Sequence, residues 1–405
     1  MVGRHGKTSV LLSTRSETAS AMRERAVATL GRALADVEAI VAVTEWGPAE
    51  IPEAGNAGNK EHRFAVGAVK PRLAMTMNTA ARTLIFGGTG FIGGHVARRL
   101  RDHGAPVTIF KRASTRAHGL DGIRTTEGDL ADFESIRRAA GDCERIVFSA
   151  AYYPVISRNA DAQVALAQRQ IEKFYEAIDP ASDVVFVSSI STIGQTPDGS
   201  PADETTPFDP RRLKSTYFRV KYAIEQESLR RAAHRPGRTV IVTPSAVLGE
   251  WDVKPTTSRV VIDVARGQVP FKLRGQVNVA DVRDIVSGII AALERGRSGE
   301  RYLLGGENTT IESMVATICE VVGRKPPRLP ISFGLVRALA ELSEWIHVAF
   351  RREGSPPIPV VGVDLMENAT HVSSAKAARE LGYVHGLVRP AIERAYDWFA
   401  QHGYL

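Results

Sequence analysis

Cysteine is almost missing from this 405-residue chain: Cys143 and Cys319 are its whole complement, and neither stands in a metal-ligand spacing. That argues against a disulfide framework and a metal site, and makes a reducing, cytoplasmic setting the expectation. No apolar run reaches the ~18 residues that a membrane-spanning helix needs. A stretch dense in Lys and Arg is also missing. The formal charge of +7 therefore reads as an ordinary basic surface, compatible with a phosphate-bearing ligand and not a nucleic-acid footprint. What remains, 43% hydrophobic and 24% charged residues, is enough for one large α/β domain plus a smaller one.

Residues 1–80 read differently from the rest. A helical pattern over 17–43 is followed by Gly- and Pro-punctuated sequence over 47–71, and Met75 and Met77 stand just before the first strong strand. An accessory element, a targeting peptide and sequence upstream of the true start are the three readings. Glu17 and Glu24 count against a targeting peptide, and a misassigned start or disordered tail is preferred.

From Arg82 onward, short apolar runs alternate with amphipathic stretches. Strands are predicted over 83–86, 107–110, 145–149, 183–188 and 239–243. Helices are predicted over 92–103, 133–140, 162–178 and 218–233. Strand, helix, strand at this spacing gives right-handed crossovers and a doubly wound parallel sheet, with ligands at the carboxyl ends of the strands. The expected division is a dinucleotide-binding domain over 81–250, with 277–300 returning to it. A smaller substrate-binding domain would be built from 251–276 and 301–405. Leu335, Leu339, Leu342, Ile346 and Phe350 share one helical face opposite Arg337, Glu341 and Glu344. Core or lid packing is the expectation for that stripe, with a membrane-surface contact as the alternative.

The first strand runs into Gly87-Gly88-Thr89-Gly90-Phe91-Ile92-Gly93 and a helix. Gly87 permits a tight turn, Gly90 a close approach to a pyrophosphate, and Gly93 close packing of helix on sheet. Thr89, Phe91 and Ile92 belong to the same cofactor-binding turn. No carboxylate ends the second strand, where NAD-binding chains place one for the ribose hydroxyl. Lys111 and Arg112 stand there instead, which favours the 2′-phosphate of NADP, with NAD as the alternative. Asp129 and Leu130 are expected near the adenine, and Ser149, Ala150 and Ala151 along the cofactor. Tyr152 and Tyr153 would either wall the substrate pocket or pack.

Tyr217 and Lys221 lie four apart on one helical face, downstream of a strand ending Val187-Ser188-Ser189. A free phenol titrates near pH ~10, and a neighbouring ammonium favours its charged form. Tyr217 then exchanges a proton with a carbinol oxygen that Ser189 holds. Lys221 also reaches the ribose hydroxyls, and Ser188 lies beside the cofactor.

These segments, with Glu127-Gly128-Asp129-Leu130 and Ser188–Gly194, resemble the extended short-chain dehydrogenase/reductases, in the broad sense the NAD-dependent epimerase/dehydratase family. The basic pair after the second strand and the stretch 373–383 look like the dihydroflavonol reductase and hydroxysteroid dehydrogenase branch; the latter stretch is also similar to hopanoid-associated sugar epimerases. The resemblance implies a Rossmann-type fold, Pro244 and Ser245 at the nicotinamide end, residues 277–284 returning to the cofactor domain, and often a homodimer through the Tyr–Lys helix. Three departures stand out. Ile193 occupies a position often Tyr, Ile190-Ser191 replaces the Asp-Glu pair of dehydratases, and the Asn-x-x-Gly-Thr stretch of sugar-nucleotide enzymes is missing from 162–178. Reversible NADPH-dependent reduction of a small-molecule ketone or aldehyde is the leading expectation. A sugar or sugar-nucleotide epimerase is the alternative, and a non-catalytic NADP sensor the third reading.

Overall fold

The computed structural model describes residues 78–150, 159–212, 215–349, 356 and 358–405. The expectations for residues 1–77, Ala151, Tyr152, Tyr153 and Phe350 lie outside the described residues. From the start of the described chain, β1 (Thr83–Phe86), α1 (Phe91–Asp102), β2 (Val107–Lys111), β3 (Arg124–Glu127), α2 (Phe133–Ala140) and β4 (Arg145–Phe148) follow in order. Then come α3 (Ala160–Ala177), β5 (Asp183–Val187), α4 (Thr216–Ala232) and β6 (Thr239–Pro244). The bounds fall within two residues of those the periodicity predicts.

The second half adds β7 (Ala246–Leu248), α5 (Arg259–Ala265), β8 (Phe271–Lys272), β9 (Gln276–Asp281), α6 (Val282–Arg295), β10 (Arg301–Leu304) and β11 (Glu307–Thr310). It ends with α7 (Ile311–Val322), β12 (Leu329–Pro330), α8 (Phe333–Ala349), α9 (Val360–Glu367), α10 (Ala375–Leu381) and α11 (Arg389–Gln401).

Seven parallel strands form the main sheet in the order β10-β6-β5-β4-β1-β2-β3. Every residue of β1 and β6 is buried, as expected where helices cover both faces of a sheet. Successive side chains alternate between those faces. Ile85, Val147, Val185 and Val240 pack with Val96 of α1 and Ile285 and Ile289 of α6. Leu84, Phe86, Ile146, Phe148 and Phe186 pack with Phe174 of α3 and Val220 of α4. The order reverses between β1 and β4, which opens a crevice at the carboxyl edge. Beyond the main sheet, β11-β9-β7 forms a three-stranded sheet whose core includes Val261 of α5, Ile318 of α7 and Phe399 of α11. A two-stranded parallel ribbon pairs β8 with β12.

Helix α8 departs from the expectation of core packing at Leu335 and Leu342. Leu335 is 54% exposed, Leu342 46% and Trp345 61%. Arg337 from the polar side turns inward instead and pairs at 2.5 Å with the buried carboxylate of Asp364 on α9 and also with Glu367. Ala340 and His347 are the buried residues of α8, and Val336 packs with Val360 and Val363 of α9. The ion pair decides the orientation, because Asp364 is buried and needs a cation beside it. Among the described residues no helix is long and apolar enough to cross a membrane.

Candidate active site

The turn from β1 into α1 is shaped by close backbone approach. Gly87 has φ +79°, and a Cβ there would stand 2.6 Å from the Ala150 nitrogen and 2.7 Å from Ser149. A Cβ on Gly93 would stand 2.4 Å from the Gly87 oxygen, so helix and turn touch without side chains between them. A Cβ on Gly90 meets only the Gly87 oxygen, at 3.2 Å, and the outer side of this residue is open. Helix α1 begins without a side-chain cap and without an acid in its first turn. Its first N–H groups and positive dipole end are thus offered to an anion at the crevice. Thr89, Phe91 and Ile92 are partly exposed around that opening.

At the end of β2 the two bases separate. Lys111 Nζ donates to Glu127 Oε1 at 2.7 Å, across to β3, and is mostly covered. Arg112 is exposed beside it. Of the two cations expected at this corner, Lys111 is thus engaged by Glu127 and Arg112 is exposed. Asp129 is exposed and its side chain accepts from the Ala131 N–H, while Leu130 packs against the core under α2. Ser149 and Ala150 stand at the end of β4, against the glycine turn.

Ser189, Tyr217 and Lys221 are brought together at the ends of β5 and α4. Ser215 caps α4, its hydroxyl accepting from the Tyr217 N–H, and Tyr217 and Lys221 then share a face one turn apart. Tyr217 Oη donates to Ser189 Oγ at 3.4 Å, and Lys221 Nζ lies 5.8 Å from the centre of the phenol ring. Both Tyr217 and Lys221 are 6% exposed, so the phenol and the ammonium meet in a largely dry corner. Ser189 itself is partly exposed, at the mouth of that corner. Ser188 is buried directly behind it.

The next turn of α4 carries a residue the sequence reading passed over. Glu225 is fully buried and accepts from the hydroxyls of Ser188 and, at 2.7 Å, Thr192, the residues flanking the Ser189 turn. Arg301 of β10 donates to its other oxygen at 2.8 Å. The signal was present, since Tyr217, Lys221 and Glu225 continue one i, i+4 series. Ile193, a departure from the resemblance, packs with Ala202, Leu303 and Val372. At that position the side chain is core.

Pro244 ends β6 beside Leu304 of β10, and Ser245 follows with its backbone N–H donating to Leu304. Ser245 is 7% exposed, yet its buried Oγ has no hydrogen-bond partner among the described residues. A buried hydroxyl without a partner is unfavourable, and it is satisfied by a ligand that brings one. The open glycine turn after β1 and this hydroxyl after β6, with β4 and β5 between them, fit an extended ligand that carries phosphate, as a nicotinamide dinucleotide does.

Comparison with known proteins agrees with that fit. The model of the NAD dependent epimerase/dehydratase family matches residues 83–305. A putative dihydroflavonol 4-reductase of Synechocystis sp. is 31% identical over 331 residues, 79% of this chain and 95% of the relative. Sterol demethylase protein B of Methylococcus capsulatus is 30% identical, covering 80% of this chain and 99% of the relative. The crystal structure of a nucleoside-diphosphate-sugar epimerase from Pseudomonas aeruginosa is 30% identical with a TM-score of 0.67, over 80% of this chain and 99% of that one.

Proposed function

Because the chain belongs to the NAD dependent epimerase/dehydratase family, as an NAD(P)-dependent oxidoreductase of the extended short-chain dehydrogenase/reductase type, we propose that it reduces a ketone or aldehyde to an alcohol with NADPH, reversibly. The observation that carries this reading is the cluster of Ser189, Tyr217 and Lys221 at the carboxyl edge, with the unpartnered Ser245 hydroxyl beside it.

Gly87, Thr89, Gly90, Phe91, Ile92 and Gly93 would hold the pyrophosphate, and Asp129, Leu130, Ser149 and Ala150 the adenosine half and its linkage. Arg112 would take the 2′-phosphate, and Ser188, Pro244 and Ser245 the nicotinamide end. When bound, the nicotinamide supplies or accepts the hydride. Ser189 Oγ donates a hydrogen bond to the substrate oxygen and fixes it within reach of Tyr217. Tyr217 Oη gives its proton to that oxygen in reduction and takes it back in oxidation. Lys221, buried on the same face, stabilises the phenolate left behind and holds the ribose. Positioned proton transfer of this kind is worth roughly 10²–10⁴-fold. Ile190-Ser191 offers no carboxylate after Ser189, so elimination of water lacks its acid and base. Residues 81–250 with 277–300 would carry the cofactor, and 251–276 with 301–405 the substrate.

The name of the putative dihydroflavonol 4-reductase supports the reductase reading, and that of sterol demethylase protein B supports sterols among the substrates to test. The epimerase reading is favoured by the Pseudomonas aeruginosa structure. Incubation of the purified protein with NADPH and a panel of flavonoid, sterol and simple carbonyls separates the two. A reductase consumes NADPH in proportion to alcohol formed. No net consumption with any carbonyl, together with a nucleotide that co-purifies, would put the epimerase first.

A further inference from the structure

The outward face of α8 is apolar along its whole length. Leu335, Ala338, Leu342, Trp345 and Ala349 are exposed, Leu339 and Ile346 are partly covered, and Glu341 stands at the margin. Only Ile331 and Ser332 separate this helix from β12, where Leu329 is 64% exposed beside Phe271 of β8. A Cβ on Gly275, three residues past β8, would stand 3.6 Å from the Phe333 ring, so the start of α8 packs beside the segment that leaves the ribbon. A contiguous apolar surface of this kind on a folded chain marks an interaction site.

The charges at its edge select the partner. Arg274, Arg324, Lys325 and Arg328 are exposed on the ribbon and the turn leading into it. Glu312 is shared by Lys272 and Arg274, which leaves a surplus of positive charge. A second copy of the chain meeting this face about a two-fold axis would bring the same cations against one another. Residues 1–77 carry ten Lys and Arg against eight Asp and Glu, so their net charge has the same sign as the collar. An anionic phospholipid surface fits both features: it takes the apolar residues and an aromatic ring at the headgroup boundary and attracts the basic collar.

We propose that α8, with the β8–β12 ribbon, is a docking face by which the protein rests on an anionic membrane surface without crossing it. This goes beyond the reaction and does not depend on it.

The test is co-sedimentation of the full chain with vesicles of phosphatidylcholine alone and of phosphatidylcholine with phosphatidylglycerol, at low and raised salt. Pelleting with the anionic vesicles, weakened by salt, is expected. Trp345→Glu and Leu342→Glu should each weaken it roughly tenfold or more, with the thermal melt unchanged because both side chains are exposed. Tryptophan emission should shift to the blue with anionic vesicles, and Trp345→Phe should abolish the shift. Absence of pelleting with either vesicle would overturn the proposal, a dimer in solution then giving the face to a second copy. Vesicle binding that Trp345→Glu and Leu342→Glu leave unchanged would overturn it equally, since residues 1–77 or charge alone would be responsible.

Discussion

At the scale of single residues, the reading stands or falls on one oxygen. Tyr217→Phe removes the proton that the substrate oxygen needs but leaves the ring packed against Phe218 and Val361. Turnover should fall by roughly 10²–10⁴-fold, with NADPH binding retained in a calorimetric titration. Glu225 acts further back. Its carboxylate ties Ser188 and Thr192, on both sides of Ser189, to Arg301, so it is a positioning residue for the Ser189 turn. Glu225→Gln keeps the shape and removes the charge opposite Arg301. The expected result is a kcat loss of roughly tenfold or more, with the dissociation constant for NADPH unchanged. An equal loss in both would mean a general collapse of the site instead. That Ser189, Tyr217 and Lys221 come together was legible in the sequence because a strand end and an i, i+4 pair leave local traces. Glu225 left the same trace, but the partner that gives it meaning, Arg301, lies 76 residues away on another strand.

At the scale of elements, the main sheet was legible and the direction of α8 was not. Continuous apolar runs at strand length, such as residues 83–86 and 239–243, leave few alternatives to buried parallel strands. Periodicity on a helix shows only that one face is apolar. Whether that face points inward depends on a distant partner, here Asp364, whose burial draws Arg337 in and rolls Leu335 and Leu342 outward. Lys111 and Arg112 show the same limit, because Glu127 on the neighbouring strand engages one base and leaves the other exposed. Arg112→Ala should therefore weaken NADPH binding by roughly tenfold or more and leave NADH binding nearly unchanged, as one lost charge-assisted pair predicts. Fluorescence titration of both nucleotides checks it. Similar losses for the two nucleotides would mean that Arg112 does not read the 2′-phosphate.

At the scale of the whole molecule, the joint after β7 links the main sheet to the second half of the chain. Two carboxylates there respond to pH in opposite senses. Burial works against the charge of Glu250, but a backbone hydrogen bond and the guanidiniums of Arg394 and Arg283 outweigh it and hold the group at about 2. Arg283 comes from α6 and Arg394 from α11, which also pairs with Asp281 at 2.7 Å. The unfolded chain protonates such a group near 4.5. Its stabilisation is therefore complete above that pH and lost as pH falls toward 2.

Asp252, two residues on, is pushed up to about 6 by burial, which outweighs hydrogen bonds from Ser258 and from the Thr256 N–H. The folded protein keeps this proton up to about 6, and the unfolded chain gives it up near 3.8. In that window the folded state binds more protons, so stability falls as pH rises and stays lower above it. Asp252→Asn removes the buried charge and keeps an acceptor for Thr256. It should raise stability at pH 8 by up to about 3 kcal/mol and change little near pH 4. Glu250→Gln should do the reverse, destabilising the protein by the same order at pH 8 and by progressively less as pH falls toward 2. Denaturant unfolding of the two variants across that range checks both signs at once. A loss in Asp252→Asn at pH 8 that fades as pH falls would show instead that Asp252 is held as a charge.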